Sequence, residues 1–509
     1  MIIKVICEFG AGYRLRLATR NVQDRSGNWQ NKILSISALS RNIGEDKSYE
    51  ISGMSIELND SDRFFREMMS GESRYIAGKS VEILDGNDSP IYTGTVEKWQ
   101  FQEDVFLLTI NDKLSGLDTL VTGNISREEY PDMADKANGR SIPLIYGDLY
   151  AAGGAVKCWR VGTGNFLLAG FHCKELVGDV YEEDGTPVGG TVTLDNAVDG
   201  RAYIQCSSTE DCICANVRGK AGESGELIED PIAAIVDIIE NHAGMSYNAA
   251  SMETARAIMA QRGYKIACAI DRPVNLGDVL ADFSFSFDCD FHIGKGNEIV
   301  ISLLNWSELE PAKRFDKNSI VSFQLDVLPD EIRNKVQYAY AYNFGKDDYF
   351  EMPLYVKEGS LKNWGEFYNR NETLGLKYVY DPYAAFDVVQ RFAIQRENPR
   401  RLAQIEVPLS EFSGLDIADI IEIDHPGAID SHARKYQIRR VNIDFMADIV
   451  RVEAVDITTL AGGVFVLGDM ETLAPRWEDA DDSDRNFGYL ADADTGYFAG
   501  DTDYGKVLY

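Results

Sequence analysis

No run of apolar residues in this chain approaches the ~18 needed to cross a bilayer as a helix, so no membrane span is expected. Basic residues are scarce: 50 Lys and Arg stand against 82 Asp and Glu, a formal net charge of −32. That balance opposes adhesion to nucleic acid, whose phosphates call for clustered Lys and Arg. The histidines, His172, His242, His292, His425 and His432, are scattered, which favours surface or core roles over a catalytic or ligand set. The cysteines, Cys7, Cys158, Cys173, Cys206, Cys212, Cys214, Cys268 and Cys289, form no regular disulfide framework and read mostly as buried thiols. Cys206, Cys212 and Cys214, with His172 and Cys173 upstream, have ligand-capable chemistry but lack the paired C-x-x-C knuckles of a zinc site, and leave a metal there undecided. H-E-x-x-H, G-x-S-x-G, the P-loop and a G-x-G-x-x-G ahead of a helix are all absent. The expectation is a protein that is not an enzyme and carries no cofactor.

What is present is enough for several cores. The 509 residues are 45% hydrophobic and 11% aromatic, whereas one core stops growing at ~250–300 residues, so three to five units are expected. The opening Met1-Ile2-Ile3-Lys4-Val5-Ile6 soon meets Glu8 and the charged 13–20 stretch, and reads as a strand, not a signal peptide, with assembly in the cytoplasm. The acidic balance has two readings, solubility through mutual repulsion or a carboxylate-lined wall that keeps passing phosphates from sticking.

Period-two alternation is clearest at Ser80-Val81-Glu82-Ile83-Leu84, Thr95-Val96-Glu97-Lys98-Trp99 and Val105-Phe106-Leu107-Leu108-Thr109-Ile110, with a short helix near 62–69. Residues 151–227 carry strands broken by Asp184-Gly185, Gly189-Gly190 and Asp199-Gly200 turns. At Asp230-Pro231 an N-cap and a proline at the first helical position open a helix whose apolar face holds Ile232, Ile235, Val236, Ile238 and Ile239, and Gly244 ends it. Further helices are expected at 251–262, capped by Ser251, and at 276–288, then a strand at 298–304. A strand over 334–343 with its tyrosines on one face and a helix from Asp381-Pro382 to about Arg396 follow.

The order of pieces carries a resemblance. Gly78-Lys79-Ser80-Val81-Glu82-Ile83, then Tyr92-Thr93-Gly94-Thr95-Val96, then Leu108 to Leu114 through Asp112, then Gly139-Arg140-Ser141-Ile142-Pro143 to Gly147, resemble the N-terminal part of bacteriophage tail hub and tail-tip proteins. Pro408-Leu409, Leu415 to Ile423, and two last strands at 436–441 and 449–455 resemble that family's closing β-barrel half, with Ala418 where glycine is usual. The resemblance covers roughly residues 1–460. It implies a mainly β fold with α+β parts: tube-protein-like β-barrels at 1–125 and 319–460 bracket a β-rich insertion at 126–228 and an α+β unit at 229–318. It also implies a structural virion protein at the tail tip, a homotrimeric baseplate hub between tail tube proteins and a central fibre or tip protein, with DNA passing through its lumen during ejection. The alternatives are a host-receptor adhesin and a tail-associated peptidoglycan hydrolase.

Residues 461–509 form an acidic, aromatic segment with a short repeat, Asp492-Ala493-Asp494-Thr495-Gly496 and Asp501-Thr502-Asp503-Tyr504-Gly505. Asp492, Asp494, Asp501 and Asp503 stand as calcium-loop carboxylates do, without the late bidentate Glu. Tyr489, Tyr497, Phe498 and Tyr504 are candidate anchors on a neighbouring tail protein. The third reading is a segment too acidic to fold alone.

Overall fold

Alternation decides most of this molecule, because a strand that points successive side chains to opposite faces needs every second residue apolar to bury one face. Val81 and Ile83 are fully buried while Ser80 before them and Glu82 between them are not, and Val450, Val452 and Ala454 repeat the pattern near the end. The computed structural model describes residues 2–458, apart from 25–26, 71–74, 112–115, 198, 223, 307–308, 368–372 and 429–432. The result is mainly β with α+β parts.

The first unit contains β1 (Lys4–Phe9), β2 (Tyr13–Ala18), β3 (Val22–Asp24), β4 (Gly27–Asn31), β5 (Ile33–Ile36), the hairpin β6 (Leu39–Ile43) and β7 (Tyr49–Ile51), β8 (Met54–Asn59), helix α1 (Phe64–Met69), β9 (Ser80–Leu84), β10 (Pro90–Gln102) and β11 (Val105–Asn111). All but β6 and β7 form a nearly closed nine-stranded sheet, ordered β3-β4-β2-β1-β9-β10-β11-β8-β5. Next, β12 (Leu144–Tyr146) leads into the six strands β13 (Val156–Gly162), β14 (Asn165–Ala169), β15 (Cys173–Glu182), β16 (Thr193–Asp195), β17 (Ala202–Gln205) and β18 (Cys212–Lys220). These make a separate antiparallel sheet.

The α+β part follows with α2 (Pro231–Asp237), α3 (Ala249–Gln261), β19 (Cys268–Ile270), α4 (Leu276–Phe287) and the hairpin β20 (Asp290–Ile293) and β21 (Ile299–Ser302). The Asp230 carboxylate caps α2 at the Ile232 N–H as expected, and Gly244 beyond it has a φ of 66°. The cap of α3 differs from the expectation. Asn248 accepts from the Ser251 N–H, so Ser251 lies inside the first turn and the helix begins two residues early, an Asn being as good a cap as a Ser. The pair β12 and β19 joins this part to the segment after the first sheet.

The last unit runs through β22 (Lys313–Asp316), β23 (Ser322–Leu328), an excursion with β24 (Lys335–Asn343), β25 (Asp348–Glu351), β26 (Leu354–Val356), helix α5 (Glu358–Trp364), β27 (Thr373–Gly375) and helix α6 (Pro382–Ile394), then β28 (Arg400–Pro408), α7 (Leu409–Phe412), β29 (Ile420–Asp424), β30 (Arg434–Asp444) and β31 (Ile449–Asp456). Its sheet has the order β22-β29-β30-β31-β28-β23.

Five strands of this sheet repeat five of the first. The antiparallel order β5-β8-β11-β10-β9 has its counterpart in β23-β28-β31-β30-β29, and a short helix, α1 or α7, follows the second strand of each. The match extends to single hydrogen bonds. Gly78 N donates to Val96 O (2.8 Å) and Val96 N to Lys79 O (2.9 Å); Ala418 N donates to Ile438 O (2.9 Å) and Ile438 N to Asp419 O (2.9 Å). Directly after Val96 and after Ile438 the long strand carries a β-bulge against its neighbour. Gly78 has a φ of 70° and Ala418 a φ of 69°, so the position where the family pattern favours glycine requires left-handed backbone in both copies.

The two sheets are interlocked. The hairpin β6–β7 leaves the first unit between β5 and β8 and pairs with β30 past its bulge, Arg440 opposite Asn42 and Ile443 opposite Leu39. One buried apolar cluster accordingly runs from Ile3 to Ala454.

Candidate functional site

The end of the β6–β7 hairpin carries charge into the middle of the molecule. Arg41 is 7% exposed, donates to the Tyr49 hydroxyl at 2.9 Å, and also holds the Asp416 carboxylate and the Ile293 carbonyl. Lys47 reaches Asp290 at 3.0 Å and Asp288 at 3.7 Å. Asp290, itself buried, is met from the other side by Arg439 of β30 at 2.9 Å. Glu45 in the hairpin turn binds Arg396, beyond α6, and Arg400 of β28, both at 2.5 Å, and Arg400 also meets Glu331 at 2.9 Å. Hairpin, β20–β21 hairpin, second sheet and the end of α6 thus meet in one ionic junction.

Its electrostatics follow from burial competing with partners. Around Asp290, Arg439 and Lys47 outweigh desolvation and hold its carboxyl well below the usual range. Glu45, whose side chain is largely exposed at the hairpin turn, is drawn down to about 2 by Arg396 and Arg400. His292, between these groups in β20, has no such compensation: burial pushes it down to about 4, Asp416 and Asp290 opposing and Arg41 assisting. Its Nδ1 has no hydrogen-bond partner among the described residues, as suits a neutral ring. Asp419 moves the other way, up to about 6, chiefly through desolvation and with the neighbouring Asp416 adding to it.

Cavities lie on either side of the junction. One, of about 480 Å³, is lined by Glu45, Glu331 and Arg396 with Phe285 and Phe392; another, of about 290 Å³, lies by Arg41, Lys295 and Asp85 with Leu409 and Phe412. The junction is suited to fixing the angle between units: removing one partner of a buried pair leaves an uncompensated charge, so the hairpin has one stable seat.

None of the candidate binding or metal residues named from sequence belongs to this junction, though His292, one of the scattered histidines, lies in it. Tyr489, Tyr497, Phe498 and Tyr504, and Asp492, Asp494, Asp501 and Asp503, lie outside the described residues, as does His432. The cysteines of the insertion sheet are free, and burial pushes the Cys212 and Cys173 thiols up to about 12 and Cys158 well above its ordinary value. No group of three or more His, Cys, Asp or Glu side chains is placed to hold a metal ion among the described residues. His425 stacks on Phe323 at 4.5 Å, and His242 lies 3.9 Å from Asp237. No described helix is long and apolar enough to cross a membrane. The junction residues were missed because Arg41, Asp290 and Arg439 lie far apart in a chain of which 26% is charged, so no local pattern marks them. Alternation gave no signal, since Asp290 and His292 fall on the polar face opposite Phe291 and Ile293, yet all four are buried.

No protein-family model and no curated protein matches the chain. Solved structures do resemble its course. A 43 kDa tail protein of prophage MuSo2 from Shewanella oneidensis aligns over 89% of this chain and 98% of its own, at 10% identity and a TM-score of 0.42. The tail protein from Neisseria meningitidis MC58 covers 90% and 98%, at 7% identity and 0.43. Prophage tail protein gp18 from Listeria monocytogenes EGD-e covers 90% and 95%, at 10% identity and 0.37. No residue's role is carried over from them.

Proposed function

We propose that this chain is a structural, non-enzymatic protein of a bacteriophage tail, the hub at the distal end of the tube, acting as a homotrimer. The observation that carries the reading is the duplicated sheet. One chain holds two equivalent five-stranded units, joined by a hairpin that passes from the first to the second. Three such chains would present six equivalent units, which is what a threefold tip needs to meet a sixfold tube. The family-like segments Gly78 to Ile83 and Leu415 to Ile423 fall at equivalent places in the two copies, which gives the sequence resemblance a physical basis.

In this reading the first and last units, residues 1–125 and 319–460, form the ring against the tube, and residues 126–318 project from it. The net charge of −32 would keep DNA moving through the lumen without adhesion. The segment 461–509 would reach the next tip protein or fibre, its aromatic side chains anchoring it. The protein would be assembled in the host cytoplasm and reside in the virion.

Imaging of the assembled particle tests this directly. Density for the chain should enclose the tail axis with three copies; density projecting from the side would instead make it a receptor adhesin, and a cleared band in peptidoglycan zymography would make it a hydrolase. Deleting residues 461–509 should leave the hub soluble and oligomeric but abolish retention of the tip protein in pull-down, and unchanged retention would sink the role given to that segment.

A further inference from the structure

The two copies of the sheet differ at one edge. In the second copy the half of β30 past the bulge is covered by β6: Arg440, Val441, Asn442 and Ile443 each face a hairpin residue. The equivalent half of β10 in the first copy, residues 98–102, pairs with β11 on one side, and no described strand pairs with its other edge. Trp99, which takes the place of Val441, is 39% exposed where Val441 is 2% exposed. An unpaired strand edge of this kind is a template for another strand.

The chain also carries a strand that fits. The hairpin that covers β30 comes from the connection between β5 and β8. Its counterpart, between β23 and β28, contains the long hairpin of β24 with β25 and β26. Tyr342 lies opposite Tyr349, Tyr340 opposite Glu351, Gln337 opposite Leu354 and Lys335 opposite Val356, so β25 and β26 lie in one register along one edge of β24. No described strand pairs with their outer edge, although the Met352 carbonyl accepts from the Gln337 side-chain amide at 2.5 Å. Phe350, Met352, Leu354 and Val356, every second residue and therefore on one face beside that edge, are 52%, 53%, 46% and 37% exposed. Four large apolar side chains at that spacing on an open edge are what an assembly contact leaves when its partner is taken away.

We propose that the β25–β26 edge of one copy of this chain pairs with the open half of β10, residues 98–102, in the next copy. Each connection then completes the repeat that follows it: β5–β8 completes the second repeat within the chain, and β23–β28 completes the first repeat of the neighbour. Such a head-to-tail contact closes into a ring when its rotation allows. This rests on the homotrimeric reading above and assigns its interface, β-strand addition with an apolar stripe for specificity.

The test uses the full chain and light scattering. A Met352→Lys/Leu354→Lys variant alters side chains that are already exposed, so its melting temperature at a concentration where wild type is unassembled should match wild type, while the concentration for half-assembly rises roughly a hundredfold. Independently, Gln100→Cys and Leu354→Cys chains should form an interchain disulfide under mild oxidation when mixed, and neither they alone nor wild type should do so. The cysteine pair decides the matter even if the lysine variant folds poorly. No mixed disulfide, or a lysine variant that assembles as wild type does, overturns this pairing and leaves the axial hub reading standing. A wild-type chain monomeric at every concentration and absent from the tail axis overturns both.

Discussion

The two repeats have the same strands, the same bulge and the same left-handed residue, yet one is finished inside the chain and the other is not. In the second repeat the long strand β30 is flanked on both sides, and charges from the hairpin are buried against it. In the first, half of β10 is open and exposes Trp99. The difference teaches that duplication supplies the scaffold, while the connections between the first two strands of each repeat, hairpin 39–51 in one case and excursion 329–399 in the other, decide what each scaffold binds.

The comparison breaks most severely at Asp290. Asp290→Ala removes the buried carboxylate shared by Lys47 and Arg439, leaving the largely covered Arg439 without it and Lys47 with only Asp288 at 3.7 Å. The expected loss is about 3–5 kcal/mol, read as a fall in the denaturant midpoint. Gln100→Ala on the open edge of the first repeat should cost under about 0.5 kcal/mol in the isolated chain. Equal effects would mean that the junction does not hold the second repeat.

Histidine 292 gives the junction a pH dependence. Its folded value of about 4 lies below its unfolded value, so the stabilisation from burying a neutral ring is present above about pH 6.5 and is lost as pH falls toward 4. The expected loss is roughly 2–3 kcal/mol over that window, and His292→Phe should flatten the melting temperature there. A wild-type curve that parallels the variant from pH 7 to 4 would exclude this histidine as its source.

The pair Gly78 and Ala418 sharpens the comparison between equivalent sites. A Cβ added at Gly78 meets nothing within 4 Å, so Gly78→Ala costs only backbone strain, about 1–2 kcal/mol. Ala418→Gly should recover about 1 kcal/mol by relieving the same strain. Thermal unfolding of the two variants should move in opposite directions; movement in the same direction would mean that the sites are not equivalent.

The smallest effect concerns Asp419, the counterpart of Lys79. Its carboxyl is raised to about 6, so the charged form is a penalty that is present above pH 6 and disappears below about pH 4. Asp419→Asn should raise the melting temperature by about 1–2 °C at pH 7.5 and leave it unchanged at pH 4. A gain that persisted at pH 4 would place its cause elsewhere.

The sequence by itself determined the elements. Period-two alternation at 80–84 and 105–110 and the Asp230-Pro231 and Asp381-Pro382 helix starts are local properties of backbone and side chain, and each is where the residues put it, whereas the left-handed backbone at Ala418 is imposed on a residue that disfavours it. Tertiary structure alone decided that hairpin 39–51 joins the second sheet and that Arg41, Lys47, Asp290 and Arg439 meet. Strand alternation specifies which face of a strand is buried but not which edge it is offered to, since any edge presents the same backbone N–H and C=O groups. A charged residue, likewise, carries no mark of its partner until packing has removed the water around both.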